Sequence, residues 1–93
     1  MTHYIIVKFN ENTEKKSLIN PIRELFQKAT SIKDVEKIDI YESNMDLSNR
    51  YDLMIKMVLS ENALNEFDNG DIHKEWKERF GKYIMSKTIF DCE

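Results

Sequence analysis

The sequence predicts an α+β protein in which helices cover one face of an antiparallel β-sheet. The first observation is the order of the apolar patterns, which are typical of strand, helix, strand, strand, helix and strand along 93 residues. Two such βαβ-like halves define a ferredoxin-like sandwich. The second observation is that only two glycines and one proline are present, which leaves little capacity for linkers. Residues 1–93 are therefore predicted to form a single domain.

The first strand is predicted over residues 3–9. His3, Ile5, Val7 and Phe9 lie on one face of a two-residue alternation, and the opposite face is also mostly apolar. A strand that is apolar on both faces is expected to be covered on both sides.

A helix follows a polar turn at residues 10–12. Its apolar residues recur at helical spacing: Leu18, Ile22, Leu25, Phe26 and Ala29. Asn20-Pro21 permits two interpretations, a cap with proline at the first helical position or a longer, kinked helix that begins near Glu14. Because Leu18 and Ile22 stay in phase across Pro21, the longer helix is favoured.

Two further strands are predicted in less apolar parts of the chain. The second covers residues 35–42, with Ile38 and Ile40 on one face. Residues 43–50 then have the asparagine, aspartate and serine content of a surface loop. The last strand is predicted over about residues 84–90, which completes the order that defines the fold.

The third strand leads directly into a helix. Apolar residues occupy every second position from residue 51 to 59, and Ser60 is predicted to end the strand and to cap the helix through its hydroxyl. Turn-forming residues at positions 68–71 end that helix, and Asp71 is predicted to cap the next one.

The last helix carries a histidine on or beside its apolar stripe. The stripe contains Ile72, His73, Trp76, Phe80 and Tyr83 at three- and four-residue spacing. Imidazole takes up and releases protons near neutral pH, so His73 is the strongest candidate for a functional side chain. The alternative is a histidine packed under the sheet and hydrogen-bonded to a backbone carbonyl.

This region resembles the stress-responsive A/B barrel (Dabb) family. The family pattern is a Tyr-Asp strand, a serine-capped helix that ends in an aromatic residue, and a histidine six residues later. Here these are Tyr51-Asp52, Ser60, Phe67 and His73. The opening residues 3–9 and the closing residues 89–91 also match, so the resemblance covers nearly the whole chain.

Two positions depart from the family pattern. Asp71 stands where the family usually has a proline, and Phe67 stands where the polyketide-cyclising branch has a tyrosine. The second departure removes a hydroxyl that the enzymatic branch is thought to use.

The resemblance implies a cytoplasmic, stress-responsive protein that forms a dimeric α/β barrel. It implies His73 and His3 as catalytic candidates, since His3 matches a histidine of the cyclising branch. The aromatic side chains of Phe67 and Trp76, which flank His73, and of Tyr51 are the ligand-binding candidates. Three functions stay open: binding of a small apolar or aromatic molecule near His73, a non-enzymatic interaction dimer, and a polyketide-cyclase-like lyase. Heme binding is a lesser alternative, because the spacing matches only the Dabb pattern.

The composition argues against several other classes of protein. A net charge of −3 with mixed signs gives no basic surface for nucleic acid. No signal peptide or membrane-spanning run is visible, so no membrane contact and a cytoplasmic location are expected. Cys92 is the one cysteine, and two histidines without a third partner make a poor metal site. Neither a metal nor a cofactor is predicted.

The sheet face without helices predicts a second copy of the chain. Tyr4, Ile6, Met54 and Val58 fall on that face in the predicted alternation. An exposed apolar sheet of this size is a liability in a monomer. The pattern therefore predicts a homodimer, in which two sheets pack face to face.

Overall fold

The computed structural model describes residues 1–93 and contains four strands and three α-helices. In chain order these are β1 (Thr2–Phe9), α1 (Lys16–Gln27), β2 (Val35–Glu42), β3 (Leu53–Leu59), α2 (Glu61–Asp68), α3 (Asp71–Phe80) and β4 (Ile84–Cys92). Short 3₁₀ turns follow α1 at Lys28–Ser31 and α3 at Gly81–Tyr83. The predicted order of elements is confirmed, with the second helical region divided into α2 and α3.

The four strands form one sheet in the order β2-β3-β1-β4, and every neighbouring pair is antiparallel. The first strand therefore lies inside the sheet, while β2 and β4 form its edges. The three helices lie against one face, which confirms the predicted ferredoxin-like α+β fold. No helix is long and apolar enough to cross a membrane.

The hydrophobic core lies between the helices and the sheet. Alternate residues of β1 point into it, so that Ile5, Val7 and Phe9 are buried while the residues between them are only half-buried. The helices contribute the other large buried side chains: Ile22, Leu25, Phe26, Phe67, Trp76 and Phe80. Burial of these apolar surfaces is the main favourable contribution to folding.

The first helix runs through its proline, as the favoured interpretation predicts. Pro21 lies inside α1, and Ile19 and Ile22 on either side of it are both buried. Packing of this apolar face against the core offsets the backbone hydrogen bond that a proline inside a helix removes.

Two helix N-caps were predicted in the second helical region, and the structure contains only that of α2. The Ser60 hydroxyl accepts a hydrogen bond from the Ala63 backbone N–H at 3.1 Å, as predicted for an N-cap. The cap of α3 is Gly70, and Asp71 is instead the first helical residue. A Cβ at position 70 would lie 2.9 Å from the Glu66 carbonyl oxygen, so this tight connection between the helices requires glycine.

One carboxylate is buried at the end of the sheet where β1 stops. Asp52 accepts a hydrogen bond from the Phe9 backbone N–H at 2.8 Å through Oδ2, and Lys15 Nζ lies 3.1 Å from its Oδ1. Lys15 also lies 3.1 Å from Asp46 Oδ1 in the loop after β2. The hydrogen bonds to Asp52 and then Asp46 raise the pKa of Lys15 above its ordinary value of 10.5. This network joins α1, the sheet and the loop.

The opposite face of the sheet has no helix against it and is called the open face. Tyr4, Ile6, Met54 and Val58 lie there half-buried, as the alternation predicts. Phe90 of β4 lies beside Tyr4 in the register, with ring centroids 6.4 Å apart, and is 57% exposed. The open face therefore contains an apolar patch made by these five side chains, while Lys56 opposite Tyr4 and Thr88 opposite Ile6 are polar.

Candidate functional site

A groove of about 400 Å³ lies between β4 and the helices α2 and α3. Its sheet side contains Ile5 and Ile89, which are direct partners in the β1–β4 register. Its helix side contains Leu64, Phe67 and Trp76. Because Ile89 is 45% exposed while Ile5 is buried, the helices cover β1 but leave the helix-facing side of β4 open. The groove results from this incomplete cover.

His3 lies in the groove as a buried polar side chain. It pairs directly with Asp91 in the β1–β4 register, and its Nδ1 lies 2.5 Å from Asp91 Oδ1. A carboxylate accepts hydrogen bonds, so the imidazole Nδ1–H is the donor and the Nε2 of a neutral ring keeps its lone pair. The His3 side chain is 7% exposed and that of Asp91 is 46% exposed. Asp91 therefore orients the His3 ring from the solvent side.

His73 lies in the first turn of α3 and lines the same groove. Its Nδ1 lies 3.1 Å from the Asp68 carbonyl oxygen, which fixes Nδ1 as the donor. The ring is half-buried, and its centroid lies 5.5 Å from that of Phe67. His73 therefore bonds to a backbone carbonyl, as one interpretation of the sequence expects, and also faces a recess.

The aromatic wall of the groove is closely packed from behind. Phe67 and Trp76 are each 1% exposed, and both contact Phe26, at centroid separations of 5.7 and 5.1 Å. Rings fixed in this way cannot move without disturbing the core. Two of the predicted ligand-binding residues therefore form a rigid apolar surface beside the two histidines.

Tyr51, the third predicted ligand-binding residue, does not line this groove. Its phenol oxygen lies 2.6 Å from the Thr88 Oγ1, and Thr88 is paired with Ile6 of the open face. The residue precedes β3 and does not belong to it, so the alternation that would turn it toward the helices does not apply. The prediction that Tyr51 shares a site with His73 is wrong.

The residues that hold the two imidazoles were not predicted from the sequence. Asp91 and Asp68 belong to no recognisable local motif, because their hydrogen bonds depend on the register of β4 and on the turn between α2 and α3. The signal in the sequence was the closing Ile-Phe-Asp, which places Asp91 on the helix-facing side of the last strand once its register is known. Lys87, two residues before Ile89, adds a cation to the rim of the groove.

Two further recesses, of about 290 and 450 Å³, lie at the opposite end of the molecule around Lys15. Most of their walls are charged or polar side chains, and the charges of Lys15, Asp46 and Asp52 are already paired there. No three His, Cys, Asp or Glu side chains lie close enough together to hold a metal ion. The groove with the two histidines therefore offers the better chemistry for a ligand.

The arrangement supplies two bases with apolar walls. Each imidazole has its Nδ1 occupied by an acceptor, so that each presents Nε2 for a further hydrogen bond or for proton transfer. In the His3 pair, the Asp91 carboxylate stabilises the positive charge that a proton on Nε2 creates. A molecule with an apolar body and a hydroxyl or carbonyl group fits this combination.

Comparison with known proteins identifies the fold. No protein-family model matches the sequence, and no curated protein matches it. Solved structures match almost the whole chain. A dimeric ferredoxin-like protein of unknown function from Jannaschia has a TM-score of 0.80 at 12% identity, covering 99% of this chain and 96% of that chain. A second, from Thermobifida fusca, has a TM-score of 0.78 at 9% identity and coverages of 96% and 85%.

A Dabb family protein with a ferredoxin-like fold from Mesorhizobium loti is also similar. Its TM-score is 0.73 at 10% identity, covering 99% of this chain and 93% of that chain. At these identities the similarity shows the fold alone.

Proposed function

We propose that this chain is a Dabb-type barrel protein that binds a small molecule with an aromatic or apolar body in the groove beside His3 and His73. The observation that carries the proposal is that one recess of about 400 Å³ contains both histidines against an apolar wall. The volume falls within the usual range for small-molecule sites. The ordered match of residues to the Dabb pattern and the similar fold of the Mesorhizobium loti protein support the family assignment.

In this proposal the histidines recognise the polar group of the ligand. Each Nε2 accepts from a hydroxyl when neutral and donates to a carbonyl when protonated. Phe67 and Trp76 contact the apolar body, where burial of hydrocarbon provides most of the affinity.

A lyase of the polyketide-cyclising type is the second candidate function. The specific observation in its favour is the His3–Asp91 pair, which is suited to remove a proton and to hold the resulting positive charge. Phe67 has no phenol, so the second proton-transfer group in this chain would be His73. Replacement of either histidine by alanine would then reduce turnover by roughly 10²–10⁴-fold.

Binding can be tested by NMR with 4-methylphenol, which has one aromatic ring and one hydroxyl. The chain contains only two histidines, so their ring signals can be assigned with the single variant His3→Gln. We expect saturable shifts of both ring signals and no shift of Tyr41 on the open face. If neither histidine responds up to the solubility limit of the probe, the groove is not a ligand site and the interaction-dimer interpretation replaces this one.

The proposal also includes a homodimer formed through the open face. Similar structures, among them those from Jannaschia and Thermobifida fusca, are described as dimeric, and the open face of this chain presents a half-buried apolar patch that no intrachain element covers. Face-to-face packing of two such sheets would remove this patch from water.

The dimer can be tested by analytical ultracentrifugation with one matched pair of variants. Val58→Asp places a carboxylate on the open face, and because an unpaired charge in an apolar interface is costly, we expect at least a 100-fold weaker association. Asn65→Asp adds the same charge to the exposed side of α2 and should leave the mass unchanged. A wild-type monomer at micromolar concentration would contradict the proposed dimer.

A further inference from the structure

A second recess, of about 210 Å³, lies on the other side of Phe67 from the histidines. Its apolar walls include Ile32, from the segment after α1, and Ile72, from the start of α3. Gly70 also lines it, and without a side chain it leaves the space between the two helices free. The second recess is thus suited to hydrocarbon, since its charged residues, Glu66 and Asp71, are at exposed positions.

Phe67 is the one residue that lines both the groove and the second recess. Its ring centroid lies 5.7 Å from that of Phe26 and 5.5 Å from that of His73, and the residue is 1% exposed. Because the residue is almost fully buried and packs against Phe26, core packing holds the ring in place. Phe67 therefore closes the end of the groove as a fixed wall.

We infer that the ring of Phe67 is a partition that sets the maximum length of the ligand in the groove. This inference rests on the proposed function, since it assumes a ligand whose polar group lies at His3. The ligand is an amphiphile: its polar group contacts His3 Nε2, and its apolar end stops at Phe67. Without the ring, the groove and the second recess form one longer apolar channel.

The occupant follows from how polarity is distributed along the two spaces. The groove contains the His3–Asp91 pair, whereas the second recess beyond Phe67 contains the apolar side chains of Ile32 and Ile72 and has its two carboxylates at exposed positions. Each methylene moved from water to such a surface increases affinity about fourfold. The affinity for a series of chains should consequently stop rising at the length that reaches the partition.

The test uses 1-alkanols from 1-butanol to 1-decanol and the fluorescence of Trp76. Trp76 is the only tryptophan and lines the groove, so its emission reports occupancy directly. In the wild type, affinity should rise about fourfold per methylene for the short alcohols and then become constant. In Phe67→Ala, the rise should continue for several more carbons.

Two control variants separate the partition from a general loss of packing. Phe26→Ala removes the same ring from the same aromatic cluster, but Phe26 lines neither space, so the wild-type length limit should remain. Ile72→Phe fills the second recess, so it should abolish the gain when combined with Phe67→Ala and have little effect alone. If Phe67→Ala does not fold, Phe67→Leu opens the passage in part and is expected to extend the limit by fewer carbons.

The outcomes distinguish this inference from the proposed function. If the wild type binds the short alcohols but the length limit is unchanged in both Phe67 variants, the partition is wrong and the groove remains a ligand site. If no alcohol binds to the wild type, the proposed function itself fails. A limit that extends equally in Phe26→Ala would show that loosened packing, and not a partition, controls the length.

Discussion

The helix-covered face of the sheet has two halves that differ in how completely they are packed. Over β2 and β3 the inward side chains are buried, as Ile40, Ile55 and Met57 show. Over β4 the equivalent side chains are exposed, as Ile89 and its neighbours along the strand show. The helix layer covers three strands of four. The candidate site therefore arises where the helix cover is missing, because there the two histidines and Asp91 meet both apolar walls and water.

The largest expected effect compares two isoleucines that flank the same residue. Ile55 and Ile89 are both direct partners of Ile5, one on each side of it. Ile55→Ala should lower the free energy of unfolding by about 2–5 kcal/mol, because it leaves a cavity in closed packing. Ile89→Ala should lower it by less than about 1 kcal/mol, because that side chain already contacts water.

Urea unfolding of both variants measures this difference. Equal losses for Ile55→Ala and Ile89→Ala would mean that the groove is closed in solution, and the contrast between the halves would disappear.

A second comparison concerns two aspartates: Asp52 lies at the end of the sheet where β1 stops, and Asp91 lies at the groove. Asp52→Ala leaves the Phe9 N–H buried without an acceptor, so we expect a loss of about 1–3 kcal/mol. Asp91→Ala removes a half-exposed partner and should cost less than about 1 kcal/mol. Thermal unfolding gives both values. Asp52→Asn keeps an acceptor for Phe9 and should recover part of the loss, whereas no recovery would assign the effect to the charge.

The smallest expected effect is a pH dependence of stability that comes from Lys15, at the end of the sheet where β1 stops. The pKa of Lys15 is raised by its bonds to Asp52 and then Asp46, so protonated Lys15 favours the folded state. This stabilisation is fully present below the ordinary lysine pKa of 10.5 and is lost as the pH rises through the higher folded value. The difference in free energy of unfolding between wild type and Lys15→Met should be constant up to about pH 10 and should become smaller at higher pH. If this free-energy difference already becomes smaller below pH 9, the ion pair between Lys15 and Asp52 is contradicted.

Much of the fold follows from local patterns in the sequence. The bounds of β2, the serine cap of α2 and the passage of α1 through Pro21 each depend on residues within a few positions of one another. Boundaries that depend on distant partners were less accurate. The third strand begins at Leu53 because Asp52 instead holds the end of β1, and β4 continues to Cys92 because β1 pairs with it to Thr2.

The candidate site was predictable only in part, for the same physical reason. His3, Phe67 and His73 were named through the resemblance to the Dabb family, and Trp76 because it flanks His73; all four also lie on apolar periodicities that face the helix–sheet layer. Asp91, which orients His3, could not be assigned, because no local pattern encodes the β1–β4 register. Tyr51 was placed on the wrong side of the sheet because the strand alternation was extended two residues too far.

The pairing of β1 with β4 also determines when the site can form. His3 and Asp91 are 88 positions apart in the chain, and contacts of such separation form slowly because the intervening chain must first be closed into a loop. During synthesis β1, β2 and β3 are all available before β4 has been made. We therefore expect the three-stranded part to assemble first, with the groove completed by the last strand to arrive. Until then the edge of β1 that later pairs with β4 has unpaired backbone N–H and C=O groups, which exposes the nascent chain to aggregation.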